Sequence, residues 1–372
     1  MKNCVVKWVI LGGLLAGNQA LAQNAEDDFN VVLEEEPTRG NHGGVGSFGY
    51  DLSRKASFVN LNGFITSEFH MPQNGTPIFD QHYFNLIVSS EITDRISAEA
   101  QLEYEHGGEE LEFRYGFVDY KVSDALVFRF GKFLTPAGEF NEYLYPDFLN
   151  KTVNRAWVNR NISPTAWGEV GVQVRGRAAL GESGKMAAYY SAYVVNGLHG
   201  ASGADIRNLR GNDRDQNSDK AFGGNLGLEI GETLSVSVNG YTGLYDNADS
   251  LRLSIYGLSA TYNAGALSVW GELQAATQDY FVTVPGDAVD QLNKIGAYAL
   301  VAYKLPMGIE PVVRYDFINR DGALTNDLTR ITVGLNYYFT DNAVLKVNYE
   351  LRDDASDANA DDHFGVQFAI GF

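Results

Sequence analysis

The chain ends on His363-Phe364-Gly365-Val366-Gln367-Phe368-Ala369-Ile370-Gly371-Phe372. Phe364, Val366, Phe368, Ile370 and Phe372 are apolar, and the residues between them are small or polar. This period-two alternation marks a strand with one apolar face and one face toward water. The same pattern recurs backward to residue 58. It places strands near 58–69, 81–92, 96–106, 112–121, 126–133, 167–179, 185–196, 221–230, 233–245, 251–263, 266–278, 293–304, 308–318, 328–339, 343–352 and 363–372. Most come near the roughly 9–11 residues that a tilted strand needs to cross a bilayer.

The connections sort by parity. Every second one is short: Thr93-Asp94-Arg95, Ser123-Asp124, Gly181-Glu182-Ser183-Gly184, Gly231-Glu232, Asn263-Ala264-Gly265, Leu305-Pro306-Met307 and Thr340-Asp341-Asn342. The others are mostly longer and more polar: 70–80, 107–111, 134–166, 197–220, 246–250, 279–292, 319–327 and 353–362. A soluble sandwich has no reason to sort its loops this way. An outer-membrane barrel does, with short periplasmic turns and longer extracellular loops. The expected fold is all-β, a transmembrane antiparallel barrel of sixteen strands.

Side-chain alternation fits lipid outside and water inside. In 343–352, Leu345, Val347, Tyr349 and Leu351 oppose Lys346, Asn348 and Glu350. In 328–339, Ile331, Val333, Leu335, Tyr337 and Phe339 oppose Arg330, Thr332 and Asn336. A closed barrel pairs every backbone polar group and leaves no free edge in lipid. Aromatics gather near strand ends, as interfacial girdles require. About sixteen strands enclose an aqueous channel, whereas about eight are filled by their own side chains.

Composition agrees. The 372 residues carry a net charge of -19 with 45% hydrophobic residues, 40 Gly, 21 Tyr and 21 Phe. Past residue 22 no apolar run approaches the roughly 18 residues of a membrane helix. The acidic balance argues against nucleic-acid binding, whose footprint is basic. Residues 1–22 read as a cleaved secretory signal: Lys2 and Lys7, an apolar stretch from Trp8 to Ala16, then Ala20-Leu21-Ala22. The one cysteine, Cys4, lies inside it. Residues 23–57, acidic and then Gly-rich, read as a flexible lead-in, and 58–372 as the barrel.

Connection 134–166 is too long for a hairpin and holds Pro136, Pro146, Pro164 and Trp157. Sixteen strands, a long third outside loop and a terminal Phe372 together resemble the bacterial general and specific porins. That resemblance implies a third loop folded into the lumen, an assembly signal at Phe372 read by the barrel-insertion machinery, and a homotrimer. Phe128-Arg129-Phe130-Gly131-Lys132-Phe133-Leu134-Thr135-Pro136, then Gly138-Glu139, then Gly168-Glu169-Val170-Gly171-Val172-Gln173-Val174 more closely resembles the phosphate-selective porin O and P family. Glu169 stands where that family carries aspartate. The family implies a pore lined by arginines and lysines and a preference for anions such as phosphate.

Rings of charged side chains set pore selectivity. Taking the more polar face of each strand as inner, the basic candidates are Arg114, Arg129, Arg175, Arg177, Arg252, Arg314, Arg330 and Lys346. Arg114, Arg129 and Arg175 fall on three consecutive strands, so they are expected to form a local ladder. The loop adds Lys151, Arg155 and Arg160, balanced by Glu139, Glu142 and Asp147. Acidic wall candidates are Glu91, Glu99, Glu103, Glu105, Glu169, Glu272, Glu310, Asp316 and Glu350. The expected device is an arginine wall facing acidic loop carboxylates. Loop 197–220 balances four bases, including Arg207 and Arg210, against four aspartates and reads as a polar cap facing lipopolysaccharide.

Asp353, Asp354, Asp357, Asp361 and Asp362 lack EF-hand spacing and read as a solvated loop. No Gly-x-Ser-x-Gly elbow, phosphate-cradling loop or His-Glu-x-x-His occurs, and the six histidines are dispersed. No cofactor, metal or catalytic residue is expected. The reading is a passive diffusion channel for small polar solutes or ions in the outer membrane, set among its lipid and lipopolysaccharide. The alternative is a barrel with a surface enzyme or adhesin role.

Overall fold

Sixteen strands follow one another around a single closed ring, each hydrogen-bonded to its neighbours in sequence. The structure, a computed structural model, describes residues 59–181, 185–283, 285–286, 288–319, 327–354 and 361–372. The signal segment 1–22, the lead-in 23–57 and Asp357 lie outside the described residues.

The first quarter comprises β1 (Val59–Pro72), β2 (Ile78–Thr93), β3 (Ile96–Glu105) and β4 (Glu110–Ser123). β5 (Leu126–Leu134), β6 (Gly168–Leu180), β7 (Met186–Val195) and β8 (Ala221–Ile230) follow. Then come β9 (Leu234–Leu244), β10 (Arg252–Ala264), β11 (Leu267–Phe281) and β12 (Val289–Tyr303). The ring ends with β13 (Ile309–Asn319), β14 (Asp327–Thr340), β15 (Ala343–Asp354) and β16 (His363–Gly371). β16 closes on β1 in antiparallel register, Phe64 opposite Gly371 and Phe69 opposite Val366. Gly63 and Phe372 then exchange two backbone hydrogen bonds of 2.9 Å, so the last residue completes the seam.

The outer surface is apolar. Val118, Phe130, Leu226, Leu258, Val301, Val313, Val333 and Leu335 all face outward and are exposed to the surroundings. Burial alternates residue by residue in β13, where Val313 and Tyr315 point out while Arg314 and Asp316 are buried. Such a belt belongs in lipid, with every strand edge paired. Tyr337, Phe339 and Phe368 form an exposed aromatic cluster by the short turn that follows β14, with Tyr337 and Phe339 rings 4.8 Å and Phe339 and Phe368 rings 5.9 Å apart, and Phe372 is also exposed. Among the described residues no helix is long and apolar enough to cross a membrane.

Some strands run further than periodicity predicts. β2 begins at Ile78 and β12 at Val289, while β11 extends to Phe281. Beyond the lipid both faces meet water, so the alternation fades although the hydrogen-bonded ladder continues. One irregularity matters for the lumen. Gln101 pairs with Tyr115 but Leu102 pairs with Phe113, leaving Arg114 as the extra residue of a β-bulge. The bulge turns both Arg114 and Tyr115 inward, and both are buried.

Candidate functional site

The loop between β5 and β6 is set at its neck. Gly131 has φ +124, and a Cβ there would meet the Gly116 carbonyl oxygen at 2.4 Å, so only glycine fits this approach of β5 to β4. Thr135 N–H donates to Trp167 O at 2.9 Å, joining the two ends of the loop. Asn141, fully buried, accepts from Trp167 N–H at 2.9 Å and donates to Thr135 O at 2.8 Å. Trp167 Nε1 donates to Glu169 Oε1 at 2.6 Å, and Glu169 Oε2 accepts from Gly197 N–H at 3.1 Å. Glu169 thereby ties the neck to the next outer loop.

From this neck the loop reaches across the ring to inward side chains. Phe140 N–H donates to Glu272 on β11 at 2.7 Å. Tyr145 hydroxyl bonds Gln101 on β3, and Arg155 bonds the Tyr83 hydroxyl on β2. Lys151 Nζ meets Glu310 on β13 at 2.6 Å, and Asn336 on β14 donates to Lys151 O at 2.9 Å. Val153 N–H donates to Asn348 on β15 at 2.6 Å, and Trp157 N–H to Asp316 at 3.1 Å. Phe140, Tyr145, Leu144 and Phe148 pack with Phe64 and Tyr83, giving the loop an apolar foot on β1 and β2.

The charged wall is largely self-neutralised. Arg314 Nε lies 2.8 Å from Asp316, Arg330 lies 3.1 Å from Asp316 and 3.2 Å from Glu350, and all four are buried. Arg314 also donates to Asn154 O at 2.8 Å and Arg330 to Arg155 O at 2.6 Å. These two arginines therefore hold the loop's backbone. Lys346 does the same, donating to Asp147 O and, at 2.8 Å, to Asn150.

The expected ladder is not one ring. Arg129 makes a bidentate pair with Asp119 on β4, at 2.7 and 2.8 Å, and lies 3.5 Å over the Phe117 ring. Arg114 pairs with Glu103 and, at 2.7 Å, with Glu112. Because Asp119 opposes Arg129, Arg114 sits five residues further along β4, about 17 Å away at the strand rise. Of the three, Arg175 alone reaches a loop carboxylate, Glu142 at 3.4 Å. Arg177 pairs with Glu229 at 2.7 Å. Arg252 is exposed while Leu253 and Ile255 are buried, so it belongs to the outer face near the strand's start and not to the lumen. Glu139 accepts from Tyr189 at 2.7 Å and Ser235 at 3.1 Å.

Asp119, Arg207 and Arg210 are additions that periodicity does not supply. A period-two count through β4 makes Arg114 and Asp119 opposite in phase, and the bulge brings both inward. Arg207 and Arg210 turn away from the presumed cap and toward the loop: Arg207 donates to Thr165 O at 3.2 Å and Arg210 to Ala166 O at 3.0 Å. Arg155 donates to the same Thr165 O at 2.7 Å. Among the described residues no carboxylate forms an ion pair with Arg155, Arg207 or Arg210. Burial and the neighbouring Arg210, Arg160 and Arg155 push the Arg207 guanidinium down to about 10, so it is still charged at neutral pH among like charges.

A closed sixteen-stranded barrel with a lipid-ready exterior and a polar, charged interior defines an outer-membrane channel of the porin class. A model of the phosphate-selective porin O and P family matches residues 79–368, and the chain belongs to this family. An uncharacterised protein of Aquifex aeolicus (strain VF5) is 28% identical over 229 residues, 57% of this chain. The chain spans about half (50%) of that relative's length. Among solved structures, the anion-selective porin from Comamonas acidovorans superposes with TM-score 0.63 at 15% identity, covering 85% of this chain and 99% of that one. The trimer form of OmpT from Vibrio cholerae gives 0.59 at 13% identity, covering 85% and 99%. The outer membrane channel DcaP of Acinetobacter baumannii gives 0.57 at 14% identity, covering 84% and 97%. At these identities the likeness is one of fold.

Proposed function

We propose that this porin passes small polar solutes by diffusion, with loop 134–166 as the constriction and a preference for anions such as phosphate. The supporting observation is the loop's set of bonds to inward side chains of β2, β3, β11, β13, β14 and β15, which spans opposite sides of the ring. The anion preference rests on Arg155, Arg207 and Arg210. Among the described residues these guanidinium groups are held by carbonyl and hydroxyl dipoles without a carboxylate ion pair. Asp147 and Glu103 act on Arg155, and Glu112 on Arg210, only from further away, so an arriving anion gains attraction without first displacing a paired carboxylate. The wall arginines 114, 129, 314 and 330 act differently: their partners cancel their fields at short range, and they position strands and loop. Lys151, Arg175, Glu139, Glu142 and Asp147 tune the loop's seat, while Arg177 is paired with Glu229 on β8. The family name and the anion-selective relative support the same direction.

The chain works without catalysis, exported by a signal cleaved after Ala22 and assembled through Phe372 and the insertion machinery into lipid and lipopolysaccharide. A homotrimer is favoured by the trimeric OmpT relative. The decisive experiment is reversal potential in planar bilayers under a KCl gradient, with a liposome-swelling series that includes phosphate. Anion preference that falls in Arg155→Ala/Arg207→Ala/Arg210→Ala supports the reading. Unchanged preference in that variant overturns it.

A further inference from the structure

Four of the six histidines gather toward the loop-bearing end of one sector of the barrel. His70 and His363 rings lie 5.0 Å apart, and those of His82 and His106 lie 5.8 Å apart. Within this sector Glu68 of β1, His82 of β2 and Asp147 of loop 134–166 bring one ligand atom each to within 4.8 Å of one another. His82 Nδ1 is 2.9 Å from Glu68 Oε1 and 3.8 Å from Asp147 Oδ2. Asp147 is 2% exposed, yet its Oδ2 has no hydrogen-bond partner, and it is aimed at the imidazole. The imidazole Nδ1 is likewise off hydrogen-bond alignment with its neighbours. A buried carboxylate oxygen left without a donor is costly.

We propose that Glu68, His82 and Asp147 form a binding site for a divalent transition cation of the zinc type. One imidazole nitrogen and two carboxylate oxygens suit Zn²⁺ better than Ca²⁺ or Mg²⁺, which prefer all-oxygen shells. Ligand atoms about 3.3 Å apart are needed around a tetrahedral Zn²⁺ at about 2.0 Å. The pair distances of 2.9 and 3.8 Å bracket that figure. The fourth position is left to water or a passing solute.

The surroundings are built to orient these ligands. Glu68 Oε2 accepts from His70 Nε2 at 2.6 Å, and His70 Nδ1 lies 3.1 Å from His363 Nε2. Gln367 donates to Glu68 Oε1, and Lys346 fixes the Asp147 backbone through its carbonyl. The nearby cations Lys346 and Arg155 match the two carboxylates in charge, so an incoming metal is held by direct ligation rather than by net attraction. The His82 side chain is 22% exposed, which leaves a path from solvent. Because Asp147 sits on the loop while Glu68 and His82 sit on the wall, a bound cation clamps the loop to β1 and β2. Occupancy therefore changes current through the channel as well as metal content.

The test uses the untagged full-length protein, folded in detergent and dialysed against chelator. ZnCl₂ is titrated calorimetrically, and Co²⁺ binding is followed by its visible absorption. One ion per chain is expected, with an intense low-coordinate Co²⁺ spectrum. Affinity falls more than tenfold in His82→Gln and in Asp147→Asn, and is unchanged in His199→Gln, which lies in another outer loop. In bilayers, micromolar Zn²⁺ alters single-channel current in the parent but not in His82→Gln. If Asp147→Asn does not fold, His82→Gln decides alone. Absence of binding, or equal binding in His82→Gln, overturns the proposal. Neither outcome bears on anion preference, which is read without added metal.

Discussion

The two sides of the lumen are built on different principles. On β13–β16 the wall carries Glu310, Arg314, Asp316, Arg330, Lys346 and Glu350, all buried, and each meets the loop or a charge that does. On β8–β10 many inner positions are small and neutral, among them Gly223, Asn225, Gly227, Ser237, Asn239 and Ser259, with Glu229 paired to Arg177 rather than to the loop. There, among the described residues, the loop's hydrogen bonds come from Glu139, at 3.1 Å from Ser235 and 3.5 Å from Ser237. One side anchors and the other yields space. The difference teaches that charge in a pore wall need not be a filter. A buried arginine with two carboxylates and a loop carbonyl is a fastening, and removing one partner strands the other.

The contrast breaks most visibly at Asp316, which serves Arg314, Arg330 and Trp157 N–H together. Asp316→Ala is expected to cost about 3–5 kcal/mol, the range for an orphaned buried charge. Denaturant unfolding in detergent reads this as an earlier midpoint, and single-channel traces should become noisier as the loop loosens. An unchanged midpoint would mean that the fastening is ornamental.

Next in size is the arginine group at the mouth. Each charge removed from Arg155, Arg207 and Arg210 should lower the anion-to-cation permeability ratio by about two- to fivefold, from roughly 0.5–1 kcal/mol of partly screened Coulomb energy. The same reversal-potential measurement on the double variant Arg129→Gln/Asp119→Asn should move less, because it removes a pair that is already neutral. Equal shifts would erase the distinction between fastening and filter.

A smaller effect follows from pH. Burial pushes the Glu139 carboxyl up from its ordinary value; the Tyr189 hydrogen bond opposes this and Glu142 repulsion adds to it. A raised folded-state value favours the protonated form, so the stabilising contribution is fully present in acid and is lost as pH rises through that value. Acidification from pH 7 toward 5 should therefore neutralise Glu139 ahead of ordinary carboxylates and increase anion preference. Glu139→Gln should remove that part of the pH response. The smallest effect belongs to the yielding side: Ser237→Ala is expected to change stability by no more than about 0.5 kcal/mol, with conductance unaltered.

Much of this was readable from alternation, because lipid outside and water inside impose period two on every spanning strand. The last ten residues alone carry the rule, and loop parity extends it to sixteen strands. Fine placement was less legible. The β-bulge at Arg114 shifts the inward phase within one strand, and nothing in Glu110–Ser123 marks the extra residue. Pairing was also hidden. Arg129 and Asp119 lie ten residues apart in sequence, and only the β4–β5 register makes them opposite. Arg207 and Arg210 were masked by their own composition, since four aspartates in the same loop make it read as neutral. Once folded, their guanidinium groups turn to the Thr165 and Ala166 carbonyls instead.

The central claim is that the loop between β5 and β6 sets the width of the path. The most direct measurement is single-channel conductance of the parent barrel beside one in which residues 139–163 are replaced by a short Gly-Ser linker, in the same salt and lipid. Stepwise openings are expected in both, with a severalfold larger step in the shortened chain. Steps of equal size would contradict it.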